Sequence, residues 1–468
     1  MVILTGLIKI LGSVGPMSAD LETSDLETTR LATTPVEDTW QFETRQVHAG
    51  TQPDPTTGAR AIPIHQTTSF VFRDTAHAAA LFDLDEVGFV YSRLANPTQE
   101  AFELRIASLE GGVGALAVAS GQAAESYALL NLADAGDHIV SSSSLYGGTY
   151  NLLRHRLARL GIETTFIDDP DDLDAWRAAI RPETKAFYGE SIGNPRGDVL
   201  DIEGIAAVAH EAGIPLIVDN TLASPYLLRP LEWGADIVVH SATKFLGGHG
   251  TTIGGVIVDG GRFDWRGSGR FPSLTEPDSS YHGLSYTDAF EESAYIVRAR
   301  VTLLRDFGAS LSPQSAFYLL QGVETLSLRM DRQVANASAI AAWLQERAEV
   351  GWVNYPGLPT SPWYERSLRL LPNGAGAVLS FGLRGGFDAA RQFIESLRLF
   401  SHLANVGDLK SLAIHPGSTT HRQLTPDEQR GSGVTSDLVR LSVGIEALDD
   451  LLADLDRALT ATRNLNAE

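Results

Sequence analysis

The feature that most constrains the fold of this chain is a regular alternation of short apolar runs with segments of helical periodicity between residues 101 and 258. The apolar runs are short, β-branched and apolar on both faces: GALAVA (114–119), HIVS (138–141), AFYG (186–189), PLIVD (215–219), ADIVVH (235–240) and GGVIV (254–258). Such runs are typical of strands buried on both faces of a mainly parallel sheet. Helices are predicted between them at 122–132, 149–160, 173–180 and 202–212. The alternation therefore predicts a doubly wound α/β domain.

The second half of the chain follows a different pattern. Residues 262–286 are rich in Gly, Ser, Pro and aromatic side chains, and a loop of this length is usually functional or disordered. Helices are predicted beyond it at 294–308, 314–321, 326–347 and 449–459, and strands at 377–383 and 438–443. This mixture predicts a separate α+β domain, and 468 residues are enough for two or three domains.

The N-terminus is expected to contribute little to the fold. Residues 2–11 are apolar but too few to span a bilayer, which takes about 20 residues, and no positive charge precedes them as in a signal peptide. Residues 23–39 are rich in Thr, Asp and Glu, which predicts disorder. Met17 begins a more usual start for a soluble chain, so residues 1–40 are expected to be a disordered or wrongly started tail.

Composition argues against several functional classes. The 58 Asp and Glu outnumber the 36 Lys and Arg, and a net charge of −22 argues against nucleic acid or an anionic membrane as a partner. Cysteine is absent, which excludes disulfides, thiolate metal sites and a cysteine nucleophile and is compatible with a cytoplasmic location. The 12 His show no ligand spacing such as H-E-x-x-H, so no metal site is predicted.

The sharpest chemical signal is the segment SATKFLGGHG (241–250), which follows the run ADIVVH directly. Burial at a strand end disfavours the charge of a lysine and lowers its pKa, and such an amine is suited to form an imine with an aldehyde cofactor. Lys244 is therefore a candidate for this role, and the hydroxyls of Ser241 and Thr243 beside it can hold a phosphate. Taken alone, the segment also fits an exposed lysine before a glycine turn.

Polar residues at other strand ends complete the pattern. Asp219 ends the run PLIVD, where a carboxylate can pair with a protonated pyridine nitrogen and make the ring an electron sink. Ser120, Gly121 and Gln122 lie at a strand-to-helix switch, where backbone N–H groups bind phosphate. Tyr146 follows the next run and can stack on a planar cofactor. Each feature alone has an ordinary structural explanation. Together they predict a phosphate cradle, a ring-nitrogen partner and an imine lysine at one edge of the sheet.

These residues lie within longer motifs by which the chain resembles the Cys/Met-metabolism enzymes that depend on pyridoxal 5'-phosphate. Within that family it is most similar to the O-acetylhomoserine sulfhydrylases (O-acetylhomoserine aminocarboxypropyltransferases). The resemblance extends from about residue 44 to about residue 459. The motifs are YSRLANPT (91–98), SGQ (120–122), YGGTY (146–150), ESIGNP (190–195), the two strand ends at Asp219 and Lys244, GDLKSLAIHP (407–416) and RLSVGIE (440–446).

The resemblance implies the aspartate-aminotransferase-like fold (fold type I), with an α/β large domain around a mainly parallel seven-stranded sheet and a smaller α+β C-terminal domain. The implied divisions are an N-terminal arm at 41–86, a cofactor-binding large domain at 87–305 and the C-terminal domain at 306–468. The resemblance also implies a homo-oligomer, a tetramer built from dimers that share active sites, in which Tyr91 and Arg93 reach the phosphate bound by a neighbouring subunit.

The resemblance further implies catalytic roles for Lys244, which binds the cofactor covalently and moves protons, and for Tyr146, which stacks on the ring and assists elimination. Asp219 would pair with the ring nitrogen, with Thr221 nearby. The residues expected to bind the cofactor are Tyr91, Arg93, Ser120, Gly121, Gln122, Tyr146, Asn194, Asp219, Thr221, Ser241, Thr243 and Lys244.

The substrate is implied to bind through its α-carboxylate, which Asn194, Ser411 and Arg440 would surround. An arginine suits this role because its planar fork matches a carboxylate bidentately. The implied reaction is γ-replacement, in which O-acetyl-L-homoserine loses acetate and gains sulfide or methanethiol, giving L-homocysteine or L-methionine.

Other reactions of the same family remain open at this point: cystathionine γ-synthesis, cystathionine or methionine γ-cleavage, and O-succinylhomoserine sulfhydrylation. The segment 272–286 resembles the longer form found in sulfhydrylases, and Gln122 is common among them, whereas the lyases often have Met there. A pyridoxal-phosphate protein without catalysis is disfavoured because Asn194, Ser411 and Arg440 serve the substrate. A dinucleotide-binding dehydrogenase is disfavoured because no G-x-G-x-x-G follows the first strand.

Overall fold

The computed structural model describes residues 39–422, 425, 429 and 433–463. The predicted start at Met17 and all but the last two residues of the predicted tail, residues 1–40, lie outside the described part. No helix in that part is both long and apolar enough to cross a membrane.

The larger of two sheets has seven strands and confirms the predicted α/β domain. Its strands are β1 (Gly114–Val118), β2 (His138–Ser142), β3 (Glu163–Ile167), β4 (Thr184–Glu190), β5 (Leu216–Asp219), β6 (Ile237–His240) and β7 (Gly255–Asp259). They are ordered β1-β7-β6-β5-β4-β2-β3. All neighbouring pairs are parallel except the two that involve β7, which is antiparallel to both β1 and β6. The sheet is therefore mainly parallel, as expected.

Burial on both faces explains why six of these strands could be predicted. Leu216 and Val218 of β5 belong to one hydrophobic core, whereas Ile217 between them belongs to the core on the opposite face. Strand β3 was not predicted, and its residues Glu163 to Phe166 are exposed or only half-buried. It pairs only with β2, at the end of the sheet. A strand at a sheet edge keeps polar residues, so its sequence lacks the continuous apolar run.

Helices cover the sheets and connect their strands. The α-helices are α1 (Phe42–His48), α2 (Thr75–Phe82), α3 (Pro97–Glu110), α4 (Gly121–Leu130), α5 (Gly147–Asn151), α6 (Leu173–Ala178), α7 (Ile202–Glu211), α8 (Ser224–Leu227), α9 (Trp265–Ser268), α10 (Pro272–Thr275), α11 (Tyr286–Phe290), α12 (Ala294–Arg298), α13 (Arg305–Phe307), α14 (Pro313–Val323), α15 (Leu326–Gln345), α16 (Tyr364–Leu370), α17 (Gly386–Ser396) and α18 (Leu448–Ala461). Two π-helical turns, Leu152–Leu157 and Ala299–Leu304, continue α5 and α12.

The smaller sheet has five strands: β8 (Val350–Asn354), β9 (Val378–Leu383), β10 (Ser401–His402), β11 (Leu412–Ile414) and β12 (Leu438–Ser442). Their order is β10-β11-β12-β9-β8, and only the β10–β11 pair is parallel. Side chains of this sheet pack against α15, α17 and α18 in a third hydrophobic core. The predicted α+β part is thus confirmed, whereas the domain limits at 86, 305 and 306 stay predictions.

The segment 262–286 is not the structureless loop expected from its composition. It contains α9 and α10, and Trp265, Phe271 and Leu274 are buried in the core on one face of the large sheet. The indole of Trp265 stacks on the ring of Tyr295 with 5.5 Å between centroids and 5° between planes. Glycines and prolines here mark breaks between short packed elements.

Candidate active site

The carboxyl ends of β4, β5 and β6 meet one end of α4 around a cavity of about 270 Å³. Glu190 and Asp219, the last residues of β4 and β5, are directly paired in the sheet. Eleven of the fourteen residues predicted for the site line this cavity: Ser120, Gly121, Gln122, Tyr146, Asn194, Asp219, Thr221, Ser241, Thr243, Lys244 and Arg440. The structure thus brings together residues from both halves of the chain, and their individual roles stay predictions.

The first turn of α4 forms a concave surface beside the residues that follow β6. The Ser120 side chain caps the helix by accepting the Ala123 N–H at 3.1 Å. A Cβ on Gly121 would lie 2.6 Å from the Cβ of Ser241 and 2.9 Å from its Oγ, so only glycine allows this approach. A helix N-terminus next to a hydroxyl is suited to an anion such as a phosphate. The Thr243 hydroxyl donates to the Gly254 carbonyl at 3.2 Å and accepts the Gly254 N–H at 3.0 Å, which fixes this segment.

Asp219 presents a buried carboxylate at the cavity. Its Oδ1 accepts the backbone N–H of Thr221 at 2.8 Å, and the Thr221 hydroxyl accepts the N–H of Ser241 at 2.8 Å. Burial raises the pKa of Asp219, and the hydrogen bonds from Thr221 oppose that rise. A buried carboxylate held in this way is suited to a cationic partner such as a protonated ring nitrogen.

Lys244 lies in the turn after β6 with its side chain in the cavity. Its Nζ donates to Oδ1 of Asn405 at 2.5 Å. Burial, followed by the nearby charge of Arg440, lowers the pKa of Lys244 to about 8. The backbone after it is anchored by Arg329, whose guanidinium donates to the carbonyls of Phe245 and Leu246 at 2.7 and 3.2 Å. A fixed amine that loses its proton near neutral pH is suited to imine formation.

Arg440 on β12 is a buried cation at the opposite wall. Its Nη1 donates to Oδ1 of Asn194 at 2.9 Å, and its Nη2 donates to the carbonyl of Asn405 at 3.1 Å. Among the described residues, its buried Nε has no hydrogen-bond partner. Burial lowers the pKa of Arg440 to about 10, so it remains charged at neutral pH. A buried guanidinium with a spare donor is suited to a small carboxylate.

Four cavity residues with hydrogen-bonding side chains were not predicted as site residues: Glu125, Glu190, Asn405 and Thr420. Asn405 lies two residues before the motif GDLKSLAIHP, and Glu190 begins the motif ESIGNP. Glu125 follows Gln122 by one turn of α4, and its carboxyl group accepts the Gln122 amide N–H at 3.0 Å. Glu190 accepts the N–H of Tyr146 at 2.5 Å. Burial raises the pKa of Tyr146, and the nearby carboxyl group of Glu125 raises it further.

Three predicted residues lie outside the cavity. Tyr91 and Arg93 are exposed, with the guanidinium of Arg93 5.5 Å from the ring centre of Tyr91, so within one subunit they are not cavity residues. Ser411 is buried instead, and its hydroxyl donates to Oε2 of Glu446 at 2.9 Å and accepts the Gly444 N–H at 2.8 Å. In this structure Ser411 bonds to the segment that follows β12 and does not line the cavity.

The cavity residues fit pyridoxal 5'-phosphate, because they offer an amine of lowered pKa and a buried carboxylate. They also offer a helix N-terminus at which a Cβ on Gly121 would fill the space beside Ser241. With the two-sheet architecture, these features define a pyridoxal-phosphate-dependent enzyme of fold type I. The chain belongs to the Cys/Met metabolism PLP-dependent enzyme family, whose sequence model matches residues 43–460. The family resemblance found in the motifs is therefore confirmed.

Individual relatives agree with this assignment. The chain is 55% identical over 426 residues to the O-acetyl-L-homoserine sulfhydrylase of Leptospira meyeri, covering 89% of this chain and 96% of that protein. Its structure resembles a putative O-acetylhomoserine (thiol)-lyase of Campylobacter jejuni that contains N'-pyridoxyl-lysine-5'-monophosphate, with a TM-score of 0.88, 40% identity and coverage of 90% and 100%. It also resembles the cystathionine γ-lyase of Lactobacillus plantarum, with a TM-score of 0.77, 35% identity and coverage of 90% and 99%.

Proposed function

We propose that this enzyme catalyses a γ-replacement that converts O-acetyl-L-homoserine and sulfide, or methanethiol, to L-homocysteine, or L-methionine, and acetate, as a step of methionine biosynthesis. The 55% identity to an O-acetyl-L-homoserine sulfhydrylase over nine-tenths of the chain carries the proposal. The cavity supports the proposal, since Lys244, the buried cation Arg440 and the residues predicted for the cofactor line it together.

The cofactor, when bound, supplies an electron sink that stabilises negative charge on the carbon next to the amino group. Asp219, whose carboxylate is buried in the cavity, would hold the ring nitrogen of the cofactor in its protonated form. Ser120, Gly121, Ser241 and Thr243 line the part of the cavity that suits the phosphate.

Arg440 and Asn194 orient the substrate by its α-carboxylate, because no described residue bonds the Arg440 Nε and the Asn194 side-chain carbonyl accepts a hydrogen bond from Nη1. Lys244 then takes the Cα proton on its Nζ, which is possible near neutral pH because burial lowers its pKa to about 8. A second proton is removed from Cβ and held in the site, and the Cγ–O bond breaks to release acetate. The sulfur donor, as hydrosulfide or methanethiolate, then forms the Cγ–S bond, and the two protons return to Cβ and Cα. We assign the stacking contact and assistance in elimination to Tyr146, which is part-exposed at the cavity.

The rival activities within the family share all of these cofactor residues. They are cystathionine γ-synthase, cystathionine or methionine γ-lyase and O-succinylhomoserine sulfhydrylase. Similarity to a cystathionine γ-lyase is lower, at 35%. The segment 272–286 contributes no residue to the cavity lining of one subunit, so its length does not separate these activities on its own.

Product analysis on purified, cofactor-loaded protein tests the proposal. Sulfide is supplied in parallel with O-acetyl-L-homoserine, O-succinyl-L-homoserine or O-acetyl-L-serine, and cystathionine is supplied alone. Homocysteine formed chiefly from O-acetyl-L-homoserine is the expected result. If only cystathionine is consumed, the enzyme is a lyase; homocysteine chiefly from the succinyl ester makes it an O-succinylhomoserine sulfhydrylase.

We further propose that the working unit is a homo-oligomer, a tetramer built from dimers that share active sites. Tyr91 and Arg93 are exposed in one subunit and lie outside its cavity, which leaves them available to the site of a neighbour. We propose no nucleic-acid or membrane partner, in keeping with the net charge of −22. We also propose a cytoplasmic location, because a cysteine-free biosynthetic enzyme suits a reducing compartment.

A further inference from the structure

The cavity contains two buried carboxyl groups besides Asp219. Glu125 on α4 and Glu190 at the end of β4 both line it, and only 4% and 6% of their surfaces are exposed. The proposed reaction uses neither of them. Three carboxyl groups in one buried cavity cannot all carry a negative charge unless cations compensate them.

The hydrogen bonds around Glu125 offer no such compensation. Its Oε2 accepts the Gln122 amide N–H at 3.0 Å, and its Oε1 bonds to the Thr149 hydroxyl at 3.1 Å. Both partners are neutral, and a threonine hydroxyl can turn to accept a proton from an acid. The two cations of the cavity are engaged elsewhere, Lys244 with Asn405 and Arg440 with Asn194.

Four titratable groups lie near Glu125, and one of them, Asp219, raises its pKa through its negative charge. They are Asp219 on β5, Tyr188 and Glu190 on β4 and Tyr146 before α5. Burial, followed by the charge of Asp219, raises the pKa of Glu125 well above its usual value, although the hydrogen bonds from Thr149 and Gln122 oppose that rise. None of these neighbours brings a positive charge to its carboxyl group.

We propose that Glu125 works as an uncharged carboxylic acid that joins Gln122 to the helix following Tyr146, and that its neutrality leaves Asp219 as the anion opposite the ring nitrogen of the cofactor. Glu125 is a positioning residue, because it acts through other residues. Its hydrogen bonds hold Gln122 and Thr149, which lies one turn after Tyr146, and its lack of charge affects the protonation of Asp219. The inference rests on the cofactor placement proposed above and is independent of the substrate.

Glu125→Gln is the decisive variant because glutamine has the shape of the neutral acid. An acid whose pKa is raised by folding stabilises the fold below its unfolded pKa and loses that stabilisation as pH rises through the folded value. Thermal unfolding of the holoenzyme should therefore show Glu125→Gln within about 1 °C of the parent at pH 5 and higher by about 2 °C or more at pH 8.5. A lower midpoint at pH 8.5 would show that Glu125 is ionised and would overturn the proposal.

Glu103→Gln is the matched control. Glu103 is also a buried glutamate, but its Oε2 lies 2.7 Å from the Arg300 guanidinium and its Oε1 accepts the Ala117 N–H at 2.8 Å. Loss of its charge should lower the midpoint at pH 8.5, opposite to the effect at Glu125. Equal losses in both variants would contradict the assignment.

Cofactor binding separates positioning from packing. Glu125→Met fills the same space but bonds neither Gln122 nor Thr149, so it should weaken pyridoxal-phosphate binding about tenfold and change the visible circular dichroism of the bound cofactor. Glu125→Gln should bind the cofactor within about twofold of the parent and should show the parent's visible circular dichroism. If Glu125→Gln binds as weakly as Glu125→Met, the charge is required and the proposal fails. These measurements use no substrate, so they stand apart from the product analysis.

Discussion

The amine of Lys244 lies 2.5 Å from Oδ1 of Asn405, a residue 161 positions later in the chain. The backbone carbonyl of the same Asn405 accepts a hydrogen bond from Arg440 at 3.1 Å. One residue therefore links the proposed base to the proposed carboxylate-binding cation. This arrangement fixes the distance between the group that removes a proton and the group that orients the substrate.

Replacement of Lys244 by Ala should abolish turnover and the visible absorbance of the lysine-bound cofactor, because no other amine reaches the cavity lining described here. Absorbance spectra and product assays on the same preparation measure both effects. Lys410→Ala is the control, because this lysine is 73% exposed and should keep both properties. Substantial turnover by Lys244→Ala would remove Lys244 from the mechanism.

Replacement of Arg440 by Ala should raise KM for the amino-acid substrate by about 30-fold or more, equivalent to about 2 kcal/mol, because a buried carboxylate contact is lost. The dissociation constant of the cofactor should change by no more than about threefold, since Arg440 is not placed on it. Arg440→Lys keeps the charge but loses the fork, so an intermediate KM is expected. An unchanged KM in Arg440→Ala would show that the carboxylate binds elsewhere.

The rate at which cofactor-free protein takes up pyridoxal phosphate should rise with pH, with a midpoint at about 8. Only the neutral amine of Lys244 can attack the aldehyde, and burial lowers its pKa to about 8. Stopped-flow absorbance between pH 6 and pH 10 measures this midpoint. Arg440 also lowers the pKa of Lys244, so Arg440→Ala should move the midpoint upward. A midpoint that does not respond to this substitution would contradict the electrostatic coupling.

Gly121→Ala should weaken cofactor binding about tenfold, or about 1.4 kcal/mol, within the range known for overpacking. The added Cβ would lie 2.6 Å from Ser241, so α4 and the turn after β6 must separate. Fluorescence titration of cofactor-free protein measures the dissociation constant. Gly351→Ala is the control, because a Cβ there meets only ordinary contacts from 3.6 Å. Unchanged cofactor binding by Gly121→Ala would argue against a phosphate at this helix.

Mixtures of Lys244→Ala and Arg93→Ala subunits should regain activity that neither variant shows alone. If Arg93 serves the site of a neighbour, a hybrid dimer has one intact site and one doubly altered site. Random pairing should then restore about a quarter of the parent activity. Coexpression with two affinity tags isolates the hybrids. No recovery in purified hybrids would mean that Arg93 does not act across subunits.

Much of the large sheet could be predicted because its strands are buried on both faces. All six predicted runs match their strands with shifts of at most two residues at either end, as for PLIVD and β5. The residues at their ends, Asp219 and Lys244, could be chosen because a charged group after a buried strand is unusual. Four strands were not predicted. The edge strands β3, β8 and β10 are partly or wholly exposed and keep the mixed composition of loops, and β11 has only three residues.

The sequence by itself determined the strand pattern, the fold class, the family and most of the residues of the cavity. Burial and periodicity could be predicted because they depend on residues that are close together in the sequence. Only the tertiary structure decided that Asn405 contacts Lys244, that Arg440 bonds Asn194 246 residues away, and that Ser411 faces Glu446 instead of the cavity. It also decided that Glu125 and Glu190 share the cavity with Asp219. These contacts depend on which segments, far apart in the sequence, pack together. The residues next to each partner in the sequence do not show which distant residue it will meet.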